Sequence, residues 1–332
     1  MTPNGLTRLT RRRFVQLGGA ALIASAFPKS GASAAFAKSS NSNSPNSKIY
    51  PMTTKTVLLP DGSHVPALGM GSWQLASGRH PVAQVEEALR TGLSLGMRLI
   101  DTAENYSGGA SEQLIGRVIA GQRDEVFLVT KVQPSNAGSA RSICRSCERS
   151  LRNLGTDYLD LYLLHWRGGE NLGVVVETFE ALRAEGRIRH WGVSNFYVRD
   201  MEELYALPGG RNCATNQVRY SLSDRSIEVV GLVEWSAAHG VPLMAYSPLG
   251  SGGELLRNPT LGEVSAKHGV SAACVAIAWT MRSGAVISIP ESGRVNHIRE
   301  NARAASLVLD AEDLATLDRA FPARFVPHWS GR

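Results

Sequence analysis

From Ala67 to about residue 305, short apolar strand patterns alternate with amphipathic helical patterns, and this alternation limits the possible folds more than any other property of the chain. Strand patterns lie at Ala67 to Trp73 and near residues 99, 127, 160, 191, 215, 243 and 287. Helical patterns follow from Pro81 to Leu95 and near 110–120, 139–154, 173–185, 198–207, 225–238, 271–282 and 295–305, with a further helix at 311–320. Strands separated by helices pair most readily in parallel, and eight such units in about 260 residues predict an α/β chain closed into a (β/α)8 TIM barrel. The rival, a doubly wound dinucleotide fold, carries G-x-G-x-x-G after its first strand. Here Gly69-Met70-Gly71-Ser72-Trp73-Gln74 lacks the last glycine. Upstream, Val57-Leu58-Leu59 and His64-Val65-Pro66 flank Pro60-Asp61-Gly62, which predicts an N-terminal β-hairpin capping the barrel floor.

In such a barrel, chemistry sits at the carboxyl ends of the strands. Leu99-Ile100 runs into Asp101 with Tyr106 five residues on, Val126 to Thr130 runs into Lys131, and Leu159 to Leu164 runs into His165-Trp166. An ionised carboxylate at the end of a buried strand needs partners to offset its lost hydration, so Asp101 is expected to face a site. Taken singly, each residue also fits a structural role: a rim salt bridge, a tyrosine anchoring a loop, a histidine satisfied in the core. Four at strand ends in one chain favour a site.

Residues 1–37 are a different kind of sequence. Arg11-Arg12-Arg13-Phe14 precedes a short apolar run from Leu17 to Phe27, then Ala32-Ser33-Ala34 and Ala35-Phe36-Ala37. A basic start, a short apolar middle and A-x-A endings predict a twin-arginine signal peptide, hence a periplasmic or exported protein with the Tat translocase as a transient partner. If the signal goes unused, the protein stays cytoplasmic. The run is too short for a stable membrane anchor. Residues 38–54, rich in Ser and Asn, read as a flexible spacer, and residues 55–332 as the catalytic barrel.

The formal charge of +6 resides largely in the leader, which holds five basic residues and no acid; the rest carries 30 basic against 29 acidic residues. No nucleic-acid partner is expected of so balanced a chain. Cys144, Cys147, Cys213 and Cys274 are expected to be free, because Cys144-Arg145-Ser146-Cys147 lies within a helical pattern and twin-arginine substrates fold in a reducing compartment.

The chain has no His-Glu-x-x-His, Walker loop, Gly-x-Ser-x-Gly or metal-spaced histidine cluster, so no metal is expected. What remains is a tyrosine with a lysine. A nearby ammonium stabilises a phenolate and is expected to lower the phenol pKa, making Tyr106 a usable proton donor. Asp101 would hold Lys131 charged, and His165 would direct a substrate oxygen toward Tyr106. Proton delivery to oxygen without a metal or protein nucleophile suits carbonyl reduction, in which a cofactor supplies hydride.

Several ordered motifs carry a family resemblance: Gly71-Ser72-Trp73, Leu99-Ile100-Asp101-Thr102-Ala103-x-x-Tyr106, Leu163-Leu164-His165-Trp166, Gly192-Val193-Ser194-Asn195-Phe196, Asn216-Gln217 and Ala245-Tyr246-Ser247-Pro248-Leu249. Through them residues 55–322 resemble the aldo-keto reductases. The resemblance implies a catalytic tetrad of Asp101, Tyr106, Lys131 and His165, with Tyr106 as general acid. It implies cofactor binding by Gly71, Ser72, Trp73, Ser194, Asn195, Gln217, Tyr246, Ser247, Pro248, Leu249 and Ser251, and by Glu291, Ser292, His297, Glu300 and Asn301 in the last cofactor motif. Ser194, Asn195 and Gln217 would bind the nicotinamide amide and Tyr246 would stack on its ring. The expected protein is a monomeric NADP- or NAD-dependent reductase of small aldehydes, 2-oxoaldehydes or ketones. The alternatives are a non-enzymatic NAD(P)-binding module and an isomerase or aldolase on the same barrel.

Two departures refine that expectation. NADPH-preferring members usually carry Lys and Arg where Glu291 and His297 stand, so an acid facing the 2′ position argues for NAD, although Arg294 or Arg299 could compensate. The loop after His165 is short and only about a dozen residues follow the last helix. An open pocket for small carbonyls is expected, walled by Trp73, Trp166 and Trp329.

Overall fold

A computed structural model describes residues 55–250 and 253–327. The leader, the spacer, Ser251 and Trp329 lie outside the described residues. A hairpin of β1 (Thr56–Leu58) and β2 (His64–Pro66) pairs Val57 with Val65, and its turn is closed by Gly62 at φ 85°. Asp61 in that turn meets His190 Nε2 at 2.9 Å at the start of a barrel strand, which fixes the hairpin under the amino-terminal end of the sheet.

The eight barrel strands are β3 (Gly69–Gly71), β4 (Leu99–Asp101), β5 (Phe127–Val132), β6 (Leu159–Leu164), β7 (Ile188–Ser194), β8 (Asn216–Arg219), β9 (Leu243–Tyr246) and β10 (Val286–Ile289). They pair in parallel in sequence order. The seam between β10 and β3 is closed by parallel bridges Leu68–Ser288 and Gly71–Glu291, with Ser288 N donating to Ala67 O at 2.7 Å. The predicted closed barrel and N-terminal hairpin are both present.

The surrounding helices are α1 (Val82–Ser94), α2 (Ala110–Ile119), α3 (Ala140–Leu154), α4 (Leu172–Ala184), α5 (Val198–Tyr205), α6 (Ser226–Val229), α7 (Leu232–His239), α8 (Pro259–His268), α9 (Ala272–Thr280), α10 (Val295–Ala302) and α11 (Ala311–Ala320). Two differ from the sequence reading. The expected helix at 225–238 is broken at Gly231, whose φ of 73° leaves the helical region. Helix α8 was not anticipated, although its start carries a signal: the Asn258 side chain accepts from Thr260 N at 3.0 Å and Pro259 opens the first turn.

The core lies between sheet and helices, where the tilted rings of Tyr162, Phe179 and Trp191 pack with centroids 5.3 and 5.8 Å apart. Cys144 and Cys147 sit in α3, capped by Ser139 and ended by Gly155 at φ 63°, and all four cysteines are free thiols. Burial pushes the Cys147 thiol up to about 12, which makes it inert. Among the described residues no helix is long and apolar enough to cross a membrane, and no group of three His, Cys, Asp or Glu is placed to hold a metal ion.

Close packing of neighbouring strands explains Gly192 in β7: a Cβ there would lie 2.4 Å from the Thr215 carbonyl oxygen. Gly192→Ala is expected to cost about 2–3 kcal/mol in urea unfolding, as overpacking against backbone does. A loss below about 0.5 kcal/mol would show that the strands separate more readily than this contact implies.

Candidate active site

Four side chains from four separate segments converge at the carboxyl-terminal rim of the barrel. Asp101 ends β4 and Lys131 lies in β5, which pairs beside it. Both are buried, Lys131 completely. Lys131 Nζ donates to Asp101 Oδ2 at 2.8 Å, to Thr102 O at 2.7 Å and to Tyr106 Oη at 3.3 Å. The ammonium thereby spends its three donors, and because it donates to the phenol oxygen, the phenolic proton points elsewhere. His165, just past β6, sets its ring 5.7 Å from that of Tyr106, nearly edge-on, and 4.9 Å from that of Trp166.

Burial governs the electrostatics. It lowers the Lys131 pKa and raises that of Asp101, while their mutual attraction opposes both shifts. Tyr106 is raised well above the ordinary 10.0, first by burial and then by the charge of Asp101. The expectation that Lys131 lowers this phenol is thus corrected for the resting protein, because burial and the carboxylate outweigh the ammonium. The consequence is a phenol kept protonated. His165 is pushed well below 6.5 by burial and by Lys131, so it is neutral near pH 7.

The residues expected at the nicotinamide end line the same rim. Ser194 Oγ donates to Gln217 O at 2.8 Å, Asn195 Nδ2 to Ser194 Oγ at 3.0 Å, and Tyr246 Oη to Asn195 Oδ1 at 2.9 Å. Gln217 does something the sequence reading missed: its Nε2 donates to Asp101 Oδ1 at 2.7 Å, so it braces the ion pair. Ser72 Oγ donates to Asp101 O at 2.8 Å. Among the described residues, the non-glycine residues with left-handed backbone are Ser107, Asn195 and Ser247, at φ 49°, 59° and 51°. Each adjoins or belongs to this cluster, and such conformations persist where surrounding structure enforces them. Pro248 is buried behind Ser247, and Leu249 is half-buried before Gly250.

A second cluster lies at the start of α10. A cavity of about 320 Å³ is lined by Gln84, Arg294, Val295, Asn296 and His297. Ser292 Oγ accepts from Arg294 N at 3.2 Å, Glu300 pairs with Arg303, and Asn301 is buried with its Nδ2 unbonded among the described residues. Glu291 is not part of this lining: its Oε2 accepts the Gln74 N–H at 2.9 Å. The carboxylate is therefore engaged on the loop after β3, because parallel pairing of Gly71 with Glu291 brings the two loops together. Gln84, on α1, was not expected at this pocket; its amide donates to Gly293 O at 3.0 Å.

Two buried acids support the rim and were also missed. Glu104 accepts from Gln133 N at 2.8 Å and Asn136 Nδ2 at 2.9 Å and pairs with Arg149. Glu112 accepts from Thr130 Oγ1 at 2.8 Å and Asn153 Nδ2 at 2.9 Å. Glu104 fixes the segment after β5, and Glu112 ties Thr130 of β5, next to Lys131, to α3. Trp73 and Trp166 stand at the mouth, Trp73 exposed and Trp166 half-buried.

Residues 67–321 match the Aldo/keto reductase family. The chain is 44% identical over 276 residues to methylglyoxal reductase YeaE of Escherichia coli strain K12, which covers 82% of this chain and 96% of that protein. It is 34% identical over 280 residues to methylglyoxal reductase DkgB of Escherichia coli O157:H7, with 80% and 99% covered. A crystal structure of an aldo/keto reductase from Klebsiella pneumoniae in complex with NADP and acetate superimposes with a TM-score of 0.78 at 43% identity, over 82% of this chain and 96% of that one. With its closed eight-stranded barrel and a family match spanning nearly all of it, this chain belongs to the aldo/keto reductase family.

Proposed function

We propose that this protein, acting as a monomer, reduces small aldehydes and 2-oxoaldehydes of the methylglyoxal type to alcohols with NADPH or NADH, and that Asp101, Tyr106, Lys131 and His165 carry the reaction. The observation behind the assignment is the Lys131 contact at 3.3 Å to a phenol whose own proton faces away from the ammonium. All four residues come from one chain, and the relatives named as methylglyoxal reductases support the substrate class.

When bound, the reduced nicotinamide supplies hydride to the carbonyl carbon. The carbonyl oxygen lies between Tyr106 Oη and the neutral His165 ring. His165 Nδ1 is buried and unbonded among the described residues, so the hydrogen bond to substrate falls to Nε2. Tyr106 gives its proton to the oxygen as negative charge develops there, and Lys131 stabilises the phenolate left behind. Ser194, Asn195 and Gln217 would hold the nicotinamide amide, Tyr246 would offer its ring to the nicotinamide, and Ser247 to Leu249 would lie toward the pyrophosphate. Arg294, Asn296 and His297 would meet the 2′ end, with Ser292, Glu300 and Asn301 around the adenine; the unbonded buried Nδ2 of Asn301 fits such a ligand. With Glu291 engaged on Gln74, the charge offered to a 2′-phosphate is that of Arg294, which favours NADPH.

We also propose that residues 1–37 direct the folded barrel through the twin-arginine translocase to the periplasm. The paired arginines followed by a short apolar run and A-x-A endings support this. Replacing Arg11 and Arg12 by lysine is expected to keep the full-length protein in the cytoplasm on cell fractionation, and an unchanged distribution would remove the export reading.

Tyr106→Phe is expected to lower kcat for methylglyoxal by about 10²–10⁴-fold while NADPH still binds, as loss of a general acid does. Retention of more than a tenth of the activity would assign the proton elsewhere. Reduction needs a protonated phenol, present below its raised pKa, and a neutral imidazole, present above its depressed one. The kcat/KM for reduction is therefore expected to stay flat between the ordinary values of 6.5 and 10.0. A break inside that range in initial-rate measurements would contradict these directions.

A further inference from the structure

Glu291, half-buried at the end of β10, turns toward the loop after β3 and away from the pocket at α10. Its Oε2 holds the Gln74 N–H at 2.9 Å, and the Trp73 N–H also faces the carboxylate. The backbone beneath is drawn together at the same place: Gly71 N donates to Pro290 O at 3.0 Å, and a Cβ at Gly293 would lie 2.7 Å from the His80 ring. On the opposite side of Trp73, Ser72 Oγ donates to Asp101 O at 2.8 Å and accepts from Ser111 Oγ at 2.9 Å. Trp73 is thus tied through its neighbours to both the catalytic strand end and the end of β10. Trp73 itself is 63% exposed. An indole so exposed has little packing of its own to hold it, so its position is set by the backbone on either side.

We propose that Glu291 is a specificity-determining positioning residue, which clasps the Gln74 amide and fixes Trp73 as a wall for the substituent of the carbonyl substrate, with no direct role at the 2′ end of the cofactor. The inference rests on the reductase reading above and assigns this acid to the carbonyl side of the site. An aromatic face held at the mouth favours flat substituents, because an aryl group stacks on it and a methyl group gains little. Arylglyoxals are therefore the substrate class that depends on the clasp. A carboxylate accepting a main-chain amide is replaced poorly by lysine, which has no acceptor at all.

The test compares phenylglyoxal with methylglyoxal in wild type, Glu291→Ala and Glu291→Gln, with NADPH and NADH affinities read separately by quenching of protein fluorescence. Glu291→Ala is expected to raise KM for phenylglyoxal about tenfold and KM for methylglyoxal less than about threefold, with kcat and both cofactor affinities within about twofold. Glu291→Gln keeps an acceptor oxygen and is expected to recover most of the phenylglyoxal KM. In a Trp73→Ala background, Glu291→Ala is expected to add nothing further, since the wall is already gone. A changed ratio of NADPH to NADH affinity with unchanged KM values, or an undiminished effect without Trp73, would overturn the proposal. Hydrogen exchange of the peptide spanning residues 72–81 provides a readout independent of turnover. It is expected to quicken in Glu291→Ala; unchanged exchange would remove the clasp. Absence of turnover in the wild type would fail the reductase reading, and the exchange measurement would still decide the clasp.

Discussion

The buried pair of Lys131 and Asp101 is the interaction on which the rest of the site depends. Removing two charges from water costs several kcal/mol per ion unless every donor and acceptor finds a partner. Here the ammonium meets Asp101, Thr102 O and Tyr106 Oη, and the second oxygen of Asp101 meets the Gln217 amide. Those partners come from β4, the loop after it and β8, so the pair is satisfied only when the barrel is closed. The requirement runs outward as well: Thr130, beside Lys131, is held by Glu112, and Glu104 fixes the turn after β5. The barrel is thus the condition under which a lysine can be fully buried and remain a cation.

That condition shapes the chemistry. A phenol in water is a poor acid, and burial makes Tyr106 poorer still in the resting protein. The benefit is differential: the proton is retained until negative charge develops on a substrate oxygen, when the ammonium behind the phenol acts on the phenolate. His165, half-buried and beside the same ammonium, is held neutral, which suits it to orient an oxygen by a hydrogen bond. Backbone strain is concentrated in the same region, at Ser107, Asn195 and Ser247. Each holds the chain where a side chain must reach the rim, and the enclosing hydrogen bonds keep these residues in place.

Much of this was legible in the chain itself. The hairpin followed from Asp61-Gly62, the barrel from the strand and helix periods, and the four rim residues from their place at strand ends. Helix α8 escaped because its apolar face is short, although Asn258-Pro259 marks its start. The Gln217 amide donates to Asp101, a contact that its place at the end of β8 does not announce, and Gln84 reaches the pocket at α10 from a helix far away in sequence. Contacts of that kind depend on which loops lie side by side, and local pattern does not report them.

The sequence by itself determined the architecture, because hydrophobic period and turn chemistry act over a few residues and each unit carries its own signal. It also determined which polar groups stand at the rim, since a residue at a strand end has little freedom of direction. Only the tertiary structure decided what those groups do electrostatically. Whether the Tyr106 phenol rises or falls depends on the sum of burial and distant charges. Whether Glu291 faces a cofactor or a backbone amide depends on a loop 217 residues earlier in the chain. Both are properties of the closed barrel, in which segments remote in sequence set each other's solvation and partners.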